Sequence, residues 1–245
     1  MKKILPYNDI ELQLQKIDVG EVFDNSYFNI ERTQMLTLAK LLSRKVQSGQ
    51  LTRLSKGKYY KPKNTIFGTL SPNNQQVIKS ITHKNGKIIG YVTGIKAYQE
   101  RRFTTQIPNV IEIAIHGKPK SILEIGNYKF RLVERKFAFT AEQIPLLQLL
   151  DALKDIKRIP DATVSETIQA IKGILKDMPS NDIQTMISLV QHYPPFVKAL
   201  LGAIVQEVQG GHFIEVLLEQ LNPMSVYKIG VQNDVLKNKK TWKII

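Results

Sequence analysis

Residues 34–63, QMLTLAKLLSRKVQSGQLTRLSKGKYYKPK, begin with a pattern typical of an amphipathic α-helix. Their apolar residues recur at spacings of three and four, which predicts one apolar stripe along the helix. The stripe consists of Met35, Leu38, Leu42 and Val46, with Leu41 beside it. We expect the helix to end at Gly49, because a residue without a Cβ adopts the left-handed conformation after a helix at the lowest cost.

The second half of this stretch predicts a short two-stranded ribbon. Residues 51–54 are followed by the turn sequence SKGK at residues 55–58, in which Gly57 stands where a hairpin needs a positive φ. Two tyrosines then form the returning strand, which Pro62 ends. The tip of this ribbon is therefore cationic.

The polar face of the predicted helix carries side chains that suit the edges of DNA bases. Arginine and lysine suit guanine, glutamine suits adenine, and the threonine methyl group suits the methyl group of thymine. The predicted DNA-binding residues of the helix and ribbon are Thr37, Lys40, Arg44, Lys45, Gln47, Arg53, Lys56, Lys58 and Lys61. In this interpretation Lys40 and Arg44 contact bases, while the ribbon lysines and Lys61 hold phosphates and fix the register.

The charge of this stretch favours a polyanionic partner. A polar helix face is most often simply solvated, but a solvated face normally mixes charges of both signs. Residues 32–63 contain nine Lys or Arg residues and no Asp or Glu. An unopposed positive cluster across two consecutive elements indicates nucleic acid.

The preceding residues complete the order of a winged helix-turn-helix. Residues 4–17 predict a first helix, residues 21–23 a short strand, and residues 24–30 a second short helix capped by Asp24 or Asn25. In a winged helix the last helix enters the major groove and the hairpin lies on the flanking backbone. We therefore expect residues 1–64 to form a winged helix-turn-helix DNA-binding domain.

The rest of the chain predicts an α+β domain at residues 65–245, with a mixed α/β core at 65–138 and a helical part at 139–245. Residues 65–72 resemble a connector, and we expect its apolar residues Ile66, Phe67 and Leu70 to be docked. A helix capped by Asn73, a strand at 87–92 and a helix from Thr93-Gly94 come next. Antiparallel strands are predicted at 110–115, 121–125 and 128–134, and further helices at 144–156, 165–178, 181–192, 195–209 and 213–221. The basic end, residues 235–245 with Trp242, is expected to be a frayed terminus, with docking or a nucleic-acid role as the alternative.

Composition excludes several classes of site. The chain has 245 residues, 42% hydrophobic content and a formal charge of +14, which is enough for two folded domains. Because it has no cysteine, disulfides, zinc–thiolate sites and cysteine nucleophiles are excluded. The start MKKILPYND lacks the apolar run of a signal peptide, and no stretch is long enough to span a bilayer. We expect a cytoplasmic protein with no membrane partner.

Catalytic patterns are weak, and we expect neither an enzyme nor a cofactor. The four histidines, His83, His116, His192 and His212, have no partner at metal-binding spacing. Glu112 and Glu124, with Lys118, Lys120 or Lys129 nearby, could form a magnesium-dependent nuclease site. Ordinary charge alternation on the solvent side of strands explains these residues equally well.

Four motifs spread over residues 10–160 resemble those of one known family. They are Gly49, Leu51, Arg53, Leu54, Gly57, Lys58, Tyr59-Tyr60 and Pro62; Tyr91-Val92-Thr93-Gly94 with Ala97-Tyr98; Thr105-Gln106-Ile107-Pro108-Asn109; and Leu149-Leu150-Asp151-Ala152-Leu153-Lys154. In this order they resemble the AbiEi-type antitoxins, the abortive-infection family of type IV toxin–antitoxin systems. The resemblance implies a winged helix that binds inverted repeats in the promoter of its own operon and represses it. It also implies a C-terminal region that counters a nucleotidyltransferase-like toxin without forming a stable complex with it.

Two alternatives remain open at this point. The chain could be a one-component winged-helix regulator whose residues 65–245 sense a small ligand, or the metal-dependent nuclease described above. The oligomeric state is also open between monomer and dimer, although a dimer should protect two half-sites about one helical turn, or a multiple of it, apart.

Overall fold

A computed structural model describes residues 7–28, 30–66, 68–84, 86–119, 121–210 and 214–245. The chain is a mixed α+β protein with helices and several small sheets. The helices are α1 Tyr7–Gln15, α2 Met35–Gln47, α3 Asn74–Thr82, α4 Gly94–Glu100, α5 Ile144–Lys154, α6 Val164–Lys176, α7 Ser180–Leu189, α8 Pro195–Gln209 and α9 Glu215–Glu219. The strands are β1 Val22–Asp24, β2 Thr52–Ser55, β3 Lys58–Tyr60, β4 Lys63–Thr65, β5 Gly68–Leu70, β6 His83–Lys84, β7 Lys87–Ile88, β8 Gly90–Thr93, β9 Val110–His116, β10 Ile122–Ile125 and β11 Tyr128–Arg135.

These strands form four small sheets. A three-stranded sheet has the order β1-β3-β2, and a four-stranded sheet has the order β10-β11-β9-β8. Two ribbons, β4-β5 and β6-β7, complete the set. The strands predicted at 110–115, 121–125 and 128–134 are confirmed, and β10 and β11 pair antiparallel as expected.

The chain divides into two compact units. The first unit comprises Met1–Tyr91 and Pro119–Leu132, and the second comprises Val92–Lys118 and Val133–Ile245. The expected domain boundary after residue 64 stays a prediction. Within the described ranges, no helix combines the length and the apolar character that crossing a membrane requires.

The core of the first unit lies between α1, α2 and the three-stranded sheet. Leu38, Leu41 and Leu42 of α2 are buried, as the apolar stripe predicts, whereas Met35 at its start is 38% exposed. They pack in one cluster with Ile10, Leu14, Ile17, Phe23, Phe28 and Leu51. The burial of α2 on one face therefore fixes which of its faces points outward.

The predicted end of the helix and the predicted ribbon are both confirmed. Ser48 caps α2, and Gly49 follows with a φ of +74°. The ribbon β2-β3 turns at Lys56-Gly57, where Gly57 has a φ of +77°, and its register pairs Thr52 with Tyr60. The short strand predicted at 21–23 is also present, as β1, and it pairs antiparallel with β3.

Two expectations for the first unit are wrong. The second helix expected at 24–30 is replaced by a 3₁₀ turn at Asn25–Tyr27. A further 3₁₀ turn at Arg32–Gln34 leads into α2. Asp24 does cap the first turn, since its Oδ1 accepts a hydrogen bond from the Ser26 amide at 2.8 Å. Phe23 of β1 and Phe28 both pack in the core, and the segment between them forms one 3₁₀ turn.

The second wrong expectation is the docked connector at residues 65–72. This segment contributes to the ribbon β4-β5, in which Ile66 is 94% and Leu70 is 50% exposed, while Phe67 lies outside the described residues. Polar contacts hold the ribbon, since the Thr65 hydroxyl donates to the Gly68 carbonyl at 2.8 Å. The ribbon forms without burying Ile66 or Leu70.

In the second unit, α5, α6 and α7 pack around α8, whose central residues are fully buried. The helices predicted from Thr93-Gly94 and at 195–209 are confirmed as α4 and α8, and those predicted at 144–156, 165–178 and 181–192 correspond to α5, α6 and α7. The last predicted helix is present only as α9, and Gly211–Phe213 lie outside the described residues.

The frayed terminus predicted at residues 235–245 is wrong, because this segment packs against α8. Trp242 is fully buried over Gly202, and its Nε1 donates to Gln206 at 2.8 Å. The Asn238 side chain donates to the carbonyl of Ala203 at 2.9 Å. Gly202 makes this docking possible, since a Cβ there would lie 2.1 Å from the Trp242 ring.

Candidate nucleic-acid interface

The outward face of α2 brings together four of the predicted DNA-binding side chains. Because Leu38 and Leu42 face the core, residues on the opposite side of the helix face solvent. The exposed residues on this side are Thr37, Lys40, Arg44 and Gln47. Their spacings of three and four place them along one surface of the helix, where they can contact a common partner.

The ribbon β2-β3 adds two exposed cations to this set. Arg53 lies on β2, where its Nε donates to the Ser55 carbonyl at 3.4 Å, and Lys56 occupies the turn. Both side chains are exposed. In the described part of the chain, no carboxylate forms an ion pair with Lys40, Arg44, Arg53 or Lys56. These four charges are available to an external anion.

Lys45 is engaged within the protein. It lies toward the end of α2, and its Nζ forms an ion pair with the Glu11 carboxylate of α1 at 2.9 Å. The side chain is 27% exposed. This pair ties α1 to α2.

Lys58 also has partners inside the first unit. Its Nζ donates to the Ser80 carbonyl of α3 at 2.7 Å and lies 4.0 Å from the Asp24 carboxylate. Burial lowers the pKa of the Lys58 amine from its ordinary value, and the nearby Asp24 charge opposes this shift only in part. The lysine therefore joins β3 to the end of α3.

Lys61 caps the first helix. Its Nζ donates to the carbonyl oxygens of Ile17 at 3.1 Å and Gln15 at 3.4 Å. Lysines often satisfy the last carbonyls of a helix in this way. Of the nine predicted DNA-binding residues, the six others are exposed, while Lys45, Lys58 and Lys61 have internal partners. A DNA-binding role for all nine stays a prediction.

The sequence interpretation missed Leu36, which is 76% exposed on the outward surface of α2. A leucine in a helix is normally assigned to the core, so its residue type gave no warning. Its position in the helix does indicate exposure. Leu36 lies two residues from Leu38 and six from Leu42, which places it on the opposite side of a helix with 3.6 residues per turn. An apolar side chain there can contact the methyl group of thymine.

Polar side chains from α5, β8 and β11 of the second unit meet in a buried hydrogen-bond network. Asp151 of α5 is 2% exposed, and it accepts hydrogen bonds from the Thr93 hydroxyl at 2.6 Å and the Tyr193 hydroxyl at 2.7 Å. Arg135 at the end of β11 completes an ion pair with the same carboxylate. Since the carboxylate is fully paired, the network serves packing; it joins two of the motifs that carry the family resemblance, those at Thr93 and Asp151.

A second contact joins the motif that contains Thr93 and Tyr98 to the residue that directly follows the motif at 149–154. The Tyr98 hydroxyl of α4 donates to Asp155 at 2.8 Å, just beyond the end of α5. Burial, followed by the charge of Asp155, raises the pKa of the Tyr98 hydroxyl, so this group stays a proton donor. Together these contacts fix α4 against α5.

Glu112 and Glu124, the two carboxylates of the nuclease alternative, have different surroundings from each other. Glu124 of β10 is 63% exposed and pairs with Lys129 across the hairpin at 3.4 Å. Glu112 belongs to the second unit, where it lies against Gly94. Among the described residues, no group of three or more acidic or histidine side chains could hold a metal ion. Lys120 and His212, which were considered above, lie outside the described residues.

Comparison with known proteins identifies a family and a similar fold. The sequence model of the family DUF6088, which is described as a family of unknown function, matches residues 9–183 of this chain. No curated protein matches the chain. The crystal structure of the RV2827C protein from Mycobacterium tuberculosis is similar, with a TM-score of 0.51 and 11% sequence identity over 93% of this chain and 85% of that chain. At this identity the likeness extends to the fold alone.

Proposed function

The chain belongs to the DUF6088 family of unknown function, and for this member we propose that a winged helix in the first unit binds double-stranded DNA. The observation that carries the proposal is the exposed, unpaired cationic surface formed by Lys40 and Arg44 of α2 with Arg53 and Lys56 of the ribbon. A duplex presents a regular array of phosphates to such a surface, and binding releases the counterions that those phosphates hold.

The order of elements supports a winged helix. A first helix, a short strand, two 3₁₀ turns, a long helix and a two-stranded ribbon follow one another, and β1 pairs beside the ribbon. In this arrangement α2 enters the major groove and the ribbon lies on the adjacent backbone. Helix α2 buries one face and exposes a mainly polar opposite face that also carries Leu36, which suits contact with base edges.

The side chains divide into two roles in this proposal. Lys40 and Arg44 contact guanine edges, while Thr37 and Gln47 suit thymine and adenine. Arg53 and Lys56 hold phosphates and set the register. Lys45, Lys58 and Lys61 act mainly by holding α1, α3 and the ribbon in place.

The antitoxin function rests on the family resemblance. We expect the protein to bind inverted repeats in its own promoter, to repress that operon, and to counter a nucleotidyltransferase-like toxin without a stable complex with it. The resemblance spans motifs in both units, and those at Thr93 and Asp151 of the second unit are in direct contact. This contact supports the significance of the motifs without assigning a mechanism to them.

An electrophoretic mobility shift on the protein's own upstream region at low salt tests the DNA-binding proposal. We expect retardation by the wild-type chain and a large loss of retardation with the Lys40→Ala/Arg44→Ala variant. The exposed Lys176 and Lys240 provide a matched control, since Lys176→Ala/Lys240→Ala removes two charges from the second unit. The absence of any shift by the wild-type chain at low salt would overturn the proposal.

One observation favours a second candidate function, a one-component regulator. A largely apolar cleft of ≈ 380 Å³ lies in the second unit, and its lining includes Ile156, Phe196, Tyr227 and Ile229. This size falls in the range of small-molecule sites. The reading frame next to this gene separates the two candidates, because a nucleotidyltransferase-like neighbour favours the antitoxin and its absence favours the regulator.

A further inference from the structure

The stretch without acidic residues extends well beyond the ribbon β2-β3. No Asp or Glu occurs from residue 32 to residue 99, and the additional basic residues are Lys79, Lys84, Lys87 and Lys96. Lys96 pairs with Glu100 at 3.3 Å. The other three lysines lie on α3 and the ribbon β6-β7, they are exposed, and no described carboxylate forms an ion pair with them. The first unit therefore has a second cationic element.

The ribbon β6-β7 places two of these lysines in an unfavourable arrangement. Its register sets Lys84 directly opposite Lys87. Side chains at opposed positions of an antiparallel pair lie about 5 Å apart, and like charges there destabilise the pairing. No described acidic side chain relieves this repulsion, whereas an external phosphate between the two ammonium groups would.

The ribbon is held firmly in the first unit. The amide of Ile89 donates to the Thr82 carbonyl at 2.7 Å, and the buried Thr82 hydroxyl donates to the Ile78 carbonyl at 3.0 Å. Helix α3 contacts β1, and the hydrogen bond from Lys58 to Ser80 links it to β3. The ribbon β6-β7 is thereby anchored to the three-stranded sheet that contains the ribbon β2-β3.

A cleft connects this second ribbon with Lys58 of β3 and with the 3₁₀ turn at Asn25–Tyr27. Its lining includes Ser26 and Tyr27 of the 3₁₀ turn together with Lys79, His83 and Lys84. The proposed function sets the ribbon β2-β3 against phosphates. Because Lys58 of β3 lines the same cleft as Lys79 and Lys84, the second ribbon lies beside that phosphate-binding element.

The two acidic residues of this cleft are engaged locally. Asp24 accepts hydrogen bonds from the Ser26 amide at 2.8 Å and the Ser26 hydroxyl at 2.6 Å. Glu21 accepts one from the Asp18 amide at 3.2 Å. Neither forms an ion pair with Lys79 or Lys84, so the lysines keep their charge for an external anion.

We propose that the ribbon β6-β7 is a second phosphate-binding ribbon, in which Lys84 and Lys87 grip the DNA backbone beside the site of α2. This inference rests on the proposed DNA-binding function. Because phosphates carry no sequence information, the contribution is the same for specific and random DNA.

Fluorescence anisotropy with two labelled duplexes tests the inference, one with the protein's upstream sequence and one with the same bases in scrambled order. The Lys84→Ala/Lys87→Ala variant should lower the slope of log affinity against log salt by about 1.8, since each phosphate contact contributes about 0.9. Affinity at low salt should fall roughly tenfold or more on both duplexes. The Lys176→Ala/Lys240→Ala variant loses two exposed charges elsewhere and should match the wild type.

Thermal unfolding distinguishes this role from a structural one. Removing two opposed charges should leave the melting temperature of the Lys84→Ala/Lys87→Ala variant unchanged or higher, whereas a structural pair would lower it. Wild-type binding with no difference between the two double variants would overturn this inference and leave the proposed function standing. Loss on the upstream duplex alone would also overturn it, and failure of the wild type to bind either duplex would overturn both proposals.

Discussion

The lysines of the first unit serve two purposes that depend on where each Nζ lies. Lys56 sits in an exposed turn, whereas Lys58, two residues later, donates to a backbone carbonyl of α3. In the sequence both belong to one basic cluster. Sequence alone does not separate exposed lysines from engaged ones, because the Ser80 and Ile17 carbonyls come within reach of Lys58 and Lys61 only in the tertiary fold. The exposed residues of α2 were predictable, since the helical period alone sets which face is polar.

At this scale, base and phosphate contacts should respond differently to substitution. Arg44→Ala should cost about 1–3 kcal/mol of binding free energy on the preferred sequence and relax sequence preference. Lys56→Ala should weaken binding evenly and lower the salt slope by about one phosphate contact. Affinity measured on specific and random duplexes over a range of salt checks this, and equal losses by both variants on both duplexes would contradict the assignment.

The buried amine of Lys58 should make stability depend on alkaline pH. Burial lowers the pKa of Lys58 in the folded chain from its ordinary value of 10.5, so between the two pKa values the unfolded chain binds more protons. The free energy of unfolding of the wild type should therefore rise, relative to Lys58→Met, as pH increases through the folded pKa toward 10.5. Below the folded pKa the difference should be constant.

Chemical denaturation at a series of pH values measures this difference. Lys56→Met serves as the control, because it replaces an exposed lysine and keeps Lys58. The free energies of unfolding of the wild type and Lys56→Met should run parallel over the same pH range. Parallel stability curves for the wild type and Lys58→Met across the alkaline range would show that burial of the amine has no energetic consequence.

At the scale of elements, the residue types at helix ends and tight turns predicted where those ends and turns lie. Gly49 and Gly57 marked the end of α2 and the turn of the ribbon, because both positions need a positive φ. The 3₁₀ turn at Asn25–Tyr27 was missed, and the docked end of the chain was expected only as the alternative to a frayed terminus. Leu236, Trp242 and Ile244 are all fully buried, yet they follow no helical or strand period, so the sequence pattern does not reveal their burial.

The docking of Trp242 should depend on the absence of a side chain at residue 202. Gly202→Ala would place a Cβ 2.1 Å from the indole ring, and we expect a loss of about 1–3 kcal/mol in unfolding free energy from this overpacking. Trp242 is the single tryptophan, so its fluorescence should shift to longer wavelength as the ring leaves its buried site.

Gly173→Ala in α6 is the matched control for this prediction. A Cβ at residue 173 meets nothing within 4 Å, so this substitution should stabilise the helix by about 0.5–1 kcal/mol and leave the fluorescence unchanged. Similar effects of the two substitutions on stability and emission would contradict the role assigned to Gly202.

At the scale of the whole molecule, DNA binding and toxin neutralisation should be separable. The cationic surface of α2 and the ribbon belongs to the first unit, whereas the helical region around α8 belongs to the second. We expect Lys40→Ala/Arg44→Ala to abolish repression of the promoter while still rescuing cells that express the neighbouring toxin. Rescue assays and a promoter reporter in the same strain measure both activities, and loss of rescue with repression would show that the two are coupled.

The exposure of Leu36 in a chain without cysteine allows a direct chemical mapping of the DNA complex. Leu36→Cys would introduce a single thiol, at a position that is 76% exposed in the wild type. Tethering that thiol to bases carrying a disulfide linker, one position at a time along the operator, would give the depth and direction of α2 in the groove. The same thiol would also carry a spin label, so that distances between bound copies could reveal whether the protein occupies an inverted repeat as a pair.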